Sequence, residues 1–284
     1  MSRFAKHCTI TRKHRFLIIG ISVAGILLIL WFAMWQRIGK ELDQAESDAA
    51  YSSFALEGAI YAACTETIMQ EYLTEPIQYH AADCGSVLGE VSFHTAQGTT
   101  TGTVYRLRQL EDAGLKDAVI LMQRGGRYTG YELVGFEALQ NSPSISAVCN
   151  AYEIYSHADL QSVTITDADG AVLETVSDAK ALSDFYEKLI ALGDDIGAAG
   201  QAKAYYDAYV QKYGASDAIA INGDTVETAD EDTYLKAMDL WSNGMCTVSI
   251  RLTNGLFLRD LVYAPIPGVF HVYGYYTITD SFFS

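Results

Sequence analysis

The chain has 284 residues and a formal charge of −16, with 19 Lys and Arg against 35 Asp and Glu, and half of its residues are hydrophobic. So acidic a surface repels nucleic acid and anionic headgroups, and no nucleic-acid partner is expected. It suits cationic partners or metal ions, and a net charge far from zero also serves solubility alone.

Residues 1–15 contain Arg3, Lys6, Arg12, Lys13 and Arg15 and no acidic residue. Phe16 to Trp35 then form an uncharged apolar run of twenty residues, FLIIGISVAGILLILWFAMW. As a helix it is about 30 Å long, the thickness of a bilayer's hydrocarbon core. A cleaved signal peptide has a shorter core that ends at a small-x-small site. This run instead ends in Trp31-Phe32-Ala33-Met34-Trp35, with indoles suited to the membrane interface. The expectation is a retained signal anchor, with 16–35 the transmembrane helix and 1–15 a cytoplasmic tail held inside by its positive charge. The rest is then a single-pass, extracytoplasmic domain carrying fourteen basic and thirty-five acidic residues, net −21.

From Gln36 to about Leu73 apolar residues recur at three- and four-residue steps, which predicts a helical stalk over 36–80 broken, if anywhere, at Ser52-Ser53 or Gly58. Residues 81–149 read as a small antiparallel β subdomain. Val104–Arg108 alternates, and the runs 118–123 and 128–134 flank Arg124-Gly-Gly-Arg127, a hairpin signal. Residues 150–284 read as an α+β subdomain. A hairpin turns at Asp167-Ala-Asp-Gly170, helices are expected near 178–192, 201–213 and 230–242, and a meander of strands closes the chain over 247–279. Within it, Asn254-Gly255 supplies the positive φ angles of a type I′ turn. The fold class expected is therefore α+β, antiparallel sheets with packed helices, behind a single N-terminal transmembrane helix. An exported part of about 250 residues suffices for one sizeable core or two small ones, and two packed subdomains meeting near 140–150 are favoured.

Cys64, Cys84, Cys149 and Cys246 lie in the exported part. An oxidising exterior makes them candidate disulfides with three possible pairings, against the alternative of buried free thiols.

The blocks SVTITDADGAVLETVSDAKALSDFYEKL and VSIRLTNGLFLRDLVYAPIPGVFHVYGYYTIT resemble the ectodomains of uncharacterised signal-anchored proteins of Gram-positive, gut clostridial-type bacteria. The resemblance covers roughly residues 155–284 and implies an extracytoplasmic module. It brings no catalytic motif and no functional residue.

No G-x-S-x-G, H-E-x-x-H, P-loop or G-x-G-x-x-G motif stands in the exported part, and its S-x-x-K match, Ser177-Asp-Ala-Lys180, reads as a helix start; no cofactor is expected. Cys246 and Arg251 with His157 or His94 invite comparison with sortase transpeptidases, but the sequence context and spacing are wrong, so Cys246 reads as a packed or disulfide-bonded strand residue. Asp167-Ala-Asp-Gly170 is a turn rather than a calcium loop. Asn222 to Asp232 concentrates carboxylates, with Asp224, Glu227, Asp230 and Asp232 the candidate ligands for a hard cation against the plainer reading of a solvated helix start. His80, Asp83, Cys84 and His94 match no familiar ligand spacing. Tyr205, Tyr209 and Tyr213 recur along one helix face, as core residues or as a stacking platform. In the last strand alternation places Phe270, Val272, Tyr276 and Ile278 on a core face and His271, Tyr273 and Tyr275 on the other, a surface for a protein or glycan partner or for another part of the chain. Arg124 and Arg127, with Arg106 and Arg108 on a neighbouring strand, form the main basic concentration, a solvated hairpin tip or an anion site. The expected function is a membrane-anchored extracytoplasmic binding module for a protein or cell-envelope component, more in keeping with binding than with catalysis. An envelope enzyme with an unfamiliar site and a calcium-dependent binding domain are the alternatives.

Overall fold

A computed structural model describes residues 52–64, 79–95, 98–141, 143–242 and 245–278. The expected cytoplasmic tail and transmembrane helix lie outside the described residues, among which no helix is long and apolar enough to cross a membrane. The described chain is α+β, with antiparallel sheets and a few helices.

Two strands open it, β1 (Ser53–Leu56) and β2 (Ala59–Ala63). This corrects the helical reading of the stalk over 53–63. Glu57 and Gly58 both take positive φ, 52° and 82°, which turns the chain in two residues as a type I′ hairpin does. The hairpin is fastened through aromatic rings. Phe54 stacks on Tyr61 at 5.8 Å and meets Tyr131 edge-on at 4.9 Å.

The first sheet continues with β3 (Cys84–Thr95), β4 (Gly98–Leu107), the short helix α1 (Arg108–Asp112), β5 (Val119–Arg124) and β6 (Arg127–Phe136). Its strand order is β1-β2-β6-β5-β4-β3. The two outer strands approach each other: a Cβ on Gly89 of β3 would lie 3.5 Å from Leu56 Cδ1 of β1. The sheet therefore curls strongly, towards the closed form that removes exposed edges. The β5–β6 turn is the expected Gly125-Gly126 pair, with φ of 54° and 81°.

Next come α2 (Ile145–Tyr152), started by Ser144 capping Ala147 N, and the strands β7 (Leu160–Thr166) and β8 (Val172–Val176). Helix α3 (Ala179–Ile190) starts from Asp178, which caps Ala181 N at 2.9 Å, and buries Leu182, Phe185 and Leu189. Helix α4 (Gly197–Tyr213), the hairpin β9 (Ile219–Asn222) and β10 (Thr225–Thr228), and helix α5 (Glu231–Ser242) gather round a small core of Ala208, Tyr209, Ile219 and Leu240. The chain closes with β11 (Cys246–Leu252), β12 (Phe257–Ala264), β13 (Val269–His271) and β14 (Tyr275–Thr277), giving a second sheet in the order β14-β13-β12-β11-β7-β8.

Two turns of this sheet differ from expectation. At Asn254-Gly255 only Gly255 takes a positive φ, 89°. Arg251 pairs with Phe257, so the loop has three residues, 253–255, ending in a left-handed glycine, the next commonest hairpin form. The expected single strand 270–279 is itself a hairpin, turning at Val272-Tyr273-Gly274. His271 pairs with Tyr275 and Phe270 with Tyr276. Because each pair joins residues of the same parity, the even-numbered residues still share the core face, and Phe270, Val272 and Tyr276 are buried.

The described residues of 53–92 and 101–284 form one compact unit, and the hairpin tip 93–100 falls outside it. In that tip His94 Nδ1 lies 3.0 Å from Thr99 Oγ1. The two sheets fall on either side of the boundary expected near 140–150, and one face of the first packs into the core of the second, while Val104, Ile120, Met122 and Tyr131 are buried outside that shared cluster. Val119 and Leu121 of the first sheet join Val163, Val248 and Ile250 of the second in one buried cluster with Val148 and Phe185.

Candidate functional site at the seam of the sheets

The β6 strand of the first sheet and the β12–β13 strands of the second enclose a cavity of about 250 Å³. Glu132 and Val134 come from β6, Tyr152 from the last turn of α2, Phe257 and Arg259 from β12, His271 from the end of β13, and Tyr273 from the turn beyond it. Strand alternation sends Leu258 to the core and Phe257 and Arg259, one residue either side of it, to the opposite face, and a register shift against β11 between Val248 and Ile250 returns Leu261 to the core.

Glu132 is a charged residue in a strand of apolar neighbours and is 8% exposed. Its Oε2 lies 3.9 Å from Arg259 Nη2. Such a separation is longer than the roughly 2.7–2.9 Å of a charge-assisted hydrogen bond, so this is a loose ion pair held away from bulk water. The Arg259 guanidinium also lies over the Phe257 ring at 4.4 Å, and that of Arg251 over the same ring at 4.6 Å, cation–π contacts that orient both heads. Beside the pair, burial and the Glu132 charge push the Cys64 thiol up to about 12.

The aromatic wall is built by hydroxyl contacts. The Tyr152 and Tyr273 hydroxyls are hydrogen-bonded to each other, and Tyr273 Oη donates to Val134 O at 3.2 Å. Tyr273 has φ +60°, a left-handed conformation unusual for a bulky residue. Gly135 permits the close approach, because a Cβ there would lie 3.0 Å from the Tyr273 hydroxyl. His271 stacks on Tyr275 at 4.6 Å. Burial lowers the His271 pKa below its ordinary value while the Asp195 carboxylate raises it. The same Asp195 accepts from Tyr275 N at 2.7 Å and Gly197 N at 3.0 Å, tying the last hairpin to the start of α4.

Of the residues singled out from sequence, His271 and Tyr273 thus meet at the cavity, with Tyr275 packed behind His271. Arg124 and Arg127 stand opposite each other at the β5–β6 turn and do not line it. The basic concentration around them is dispersed: Arg106 pairs with Asp117 at 3.1 Å, and Arg108 donates to the carbonyls of Ala82 and Cys84 at 2.9 and 2.5 Å.

Among the described residues no group of three or more His, Cys, Asp or Glu side chains could hold a metal ion. The hairpin β9–β10 spreads its carboxylates, leaving Asp224 in the turn and Glu227 on a strand. Asp230 caps α5 through Thr233 N at 2.8 Å, and Asp232 pairs with Lys236 at 2.5 Å. The carboxylate of Asp167 likewise accepts from Asp169 N and Ala171 N, a turn bond rather than a calcium ligand. Tyr205 and Tyr209 are core, and Tyr213 donates to Asp239 at 2.8 Å, so the tyrosine stripe offers no open platform.

Cys64, Cys84, Cys149 and Cys246 are all thiols, spread over the end of β2, the start of β3, the middle of α2 and the start of β11. Burial raises the pKa of each, that of Cys149 to about 11, the opposite of what a nucleophilic thiolate needs. For Cys246, Asp167 adds to the rise.

Sequence reasoning missed Glu132, Arg259, Phe257 and Tyr152. The available signal was Glu132 itself, a lone charge between Tyr131 and Leu133-Val134 in an expected strand. No protein-family model matches the chain, and no curated protein or solved structure matches it either.

Proposed function

We propose that this protein is a membrane-anchored extracytoplasmic binding module, and that the cavity between β6 and β12 is where its ligand sits. The reading rests on the anchor signal at 16–35 and, above all, on one observation. A half-enclosed space of about 250 Å³ is lined together by a buried ion pair, an imidazole and three aromatic rings. Ligand pockets have this make-up, an apolar wall with a few placed polar groups. A loose buried ion pair contributes little to stability for what its desolvation costs, and a left-handed tyrosine adds strain of the kind that gathers at ligand sites. A cell-envelope component is the natural ligand for a domain presented outside the membrane.

The test is capture of soluble envelope fragments by the full-length protein, purified in detergent and immobilised, beside a Val134→Trp variant. Val134 is 46% exposed at the cavity, so a large ring there obstructs the site without entering the core. Fragments retained by the native protein and released by the variant are expected. Equal retention by both would place the ligand elsewhere, and no retention by either would remove the binding role.

A further inference from the structure

The charged side chains that line the cavity are one acid and one base, Glu132 and Arg259, 11% and 19% exposed and 3.9 Å apart at their nearest atoms. A guanidinium has five N–H donors and a carboxylate about four acceptor positions, so the two can face each other and still grip a third group. A ligand of single charge would meet one of them as its like, and like charges in a desolvated site are costly. A ligand carrying both signs, close together, meets each head with its opposite. The short separation of the two heads favours charges one carbon apart over charges at the two ends of a peptide. The volume of about 250 Å³ lies just below the roughly 300–1,000 Å³ of ligand pockets, which suits a small ligand. The rings of Tyr152, Tyr273 and Phe257 supply an apolar wall for a side chain, and His271 completes the polar rim.

We infer that the cavity binds a free α-amino acid as its zwitterion, with the carboxylate on Arg259, the ammonium on Glu132 and the side chain against the Tyr152–Tyr273 wall. This rests on the cavity being the ligand site and adds the class of ligand. Calorimetric titration of the full-length protein in detergent tests it, using the proteinogenic amino acids and D-alanine, then the N-acetyl and amide derivatives of whichever binds tightest, with N-acetylglucosamine as a neutral control. At least one free amino acid is expected to bind, and blocking either charge should weaken it about tenfold or more, the worth of one lost charge-assisted bond. In Glu132→Gln the preference for the free amino acid over its N-acetyl form should fall to near unity. That ratio is read within one variant and does not depend on how stable the variant is. Derivatives binding as well as the parent, or N-acetylglucosamine binding while no amino acid does, would overturn the assignment and leave the cavity a binding site. If nothing binds and Val134→Trp also leaves envelope capture unchanged, both readings fall.

Discussion

Tyr273 and His271 show how single residues make the site. A tyrosine at φ +60° is held there by what its ring and hydroxyl reach, since the backbone alone would favour glycine or asparagine. Its hydroxyl contacts to Tyr152 and Val134 O join the turn after β13 to α2 and β6 together. His271, two residues earlier, is half-buried between that turn and Tyr275, and burial favours its neutral form. The native state therefore binds fewer protons than the unfolded chain once pH falls below the free histidine value of about 6.5. Stability is then complete above about pH 6.5 and declines as pH falls towards the lower native pKa. Denaturant midpoints measured between about pH 7 and pH 5 should fall for the native protein and fall less for His271→Gln. Parallel curves would show that His271 does not carry this dependence.

At the scale of elements, the helical insert of α4, β9–β10 and α5 has its own small core, so local end effects are not averaged away. Asp230 satisfies the Thr233 amide at 2.8 Å and its hydroxyl at 3.1 Å. Asp230→Ala should lower stability by about 1 kcal/mol, the usual worth of an N-cap, with the loss seen as faster amide exchange in α5. Millimolar calcium should leave the melting temperature of the native protein unmoved, because the carboxylates of this segment are spread over a turn, a strand and a helix start and do not converge in a group of three; a clear rise would restore the calcium reading. Legibility at this scale followed the turns. Gly125-Gly126 and Asp169-Gly170 marked their hairpins because glycine alone takes those angles without strain. The β1–β2 hairpin was missed because Ala55, Ala59, Ala62 and Ala63 are strong helix formers, overruled by the pairing of Phe54 and Tyr61 and by the register of β2 on β6. The last hairpin was missed because its left-handed position holds a tyrosine. Of the site, alternation set His271 and Tyr273 apart from the core face, although Tyr273 stands in a turn and not in a strand, whereas Glu132 and Arg259 come from different sheets, and no local spacing brings such partners together.

For the whole molecule, the decisive feature is that one face of the first six-stranded sheet packs into the core of the second. The cavity exists at their seam, so its geometry depends on both sheets holding their places. Were the halves independent, a cavity in one would leave the other untouched. Leu121 of β5 and Val163 and Ile250 of the second sheet are each 0% exposed and belong to the same cluster. Leu121→Ala should cost about 2–5 kcal/mol through lost burial and a partly unfilled void. Because the cluster is continuous, that loss should speed amide exchange at Val163 and Ile250 by the same factor as at Leu107 and Val119, in a single unfolding transition. Faster exchange confined to the first sheet would instead mean two cores that unfold separately. The ion pair at their seam would then open whenever the weaker sheet did, and ligand affinity in Leu121→Ala would fall with it. With one shared core, affinity should stay at its native value up to the temperature where the whole unit melts.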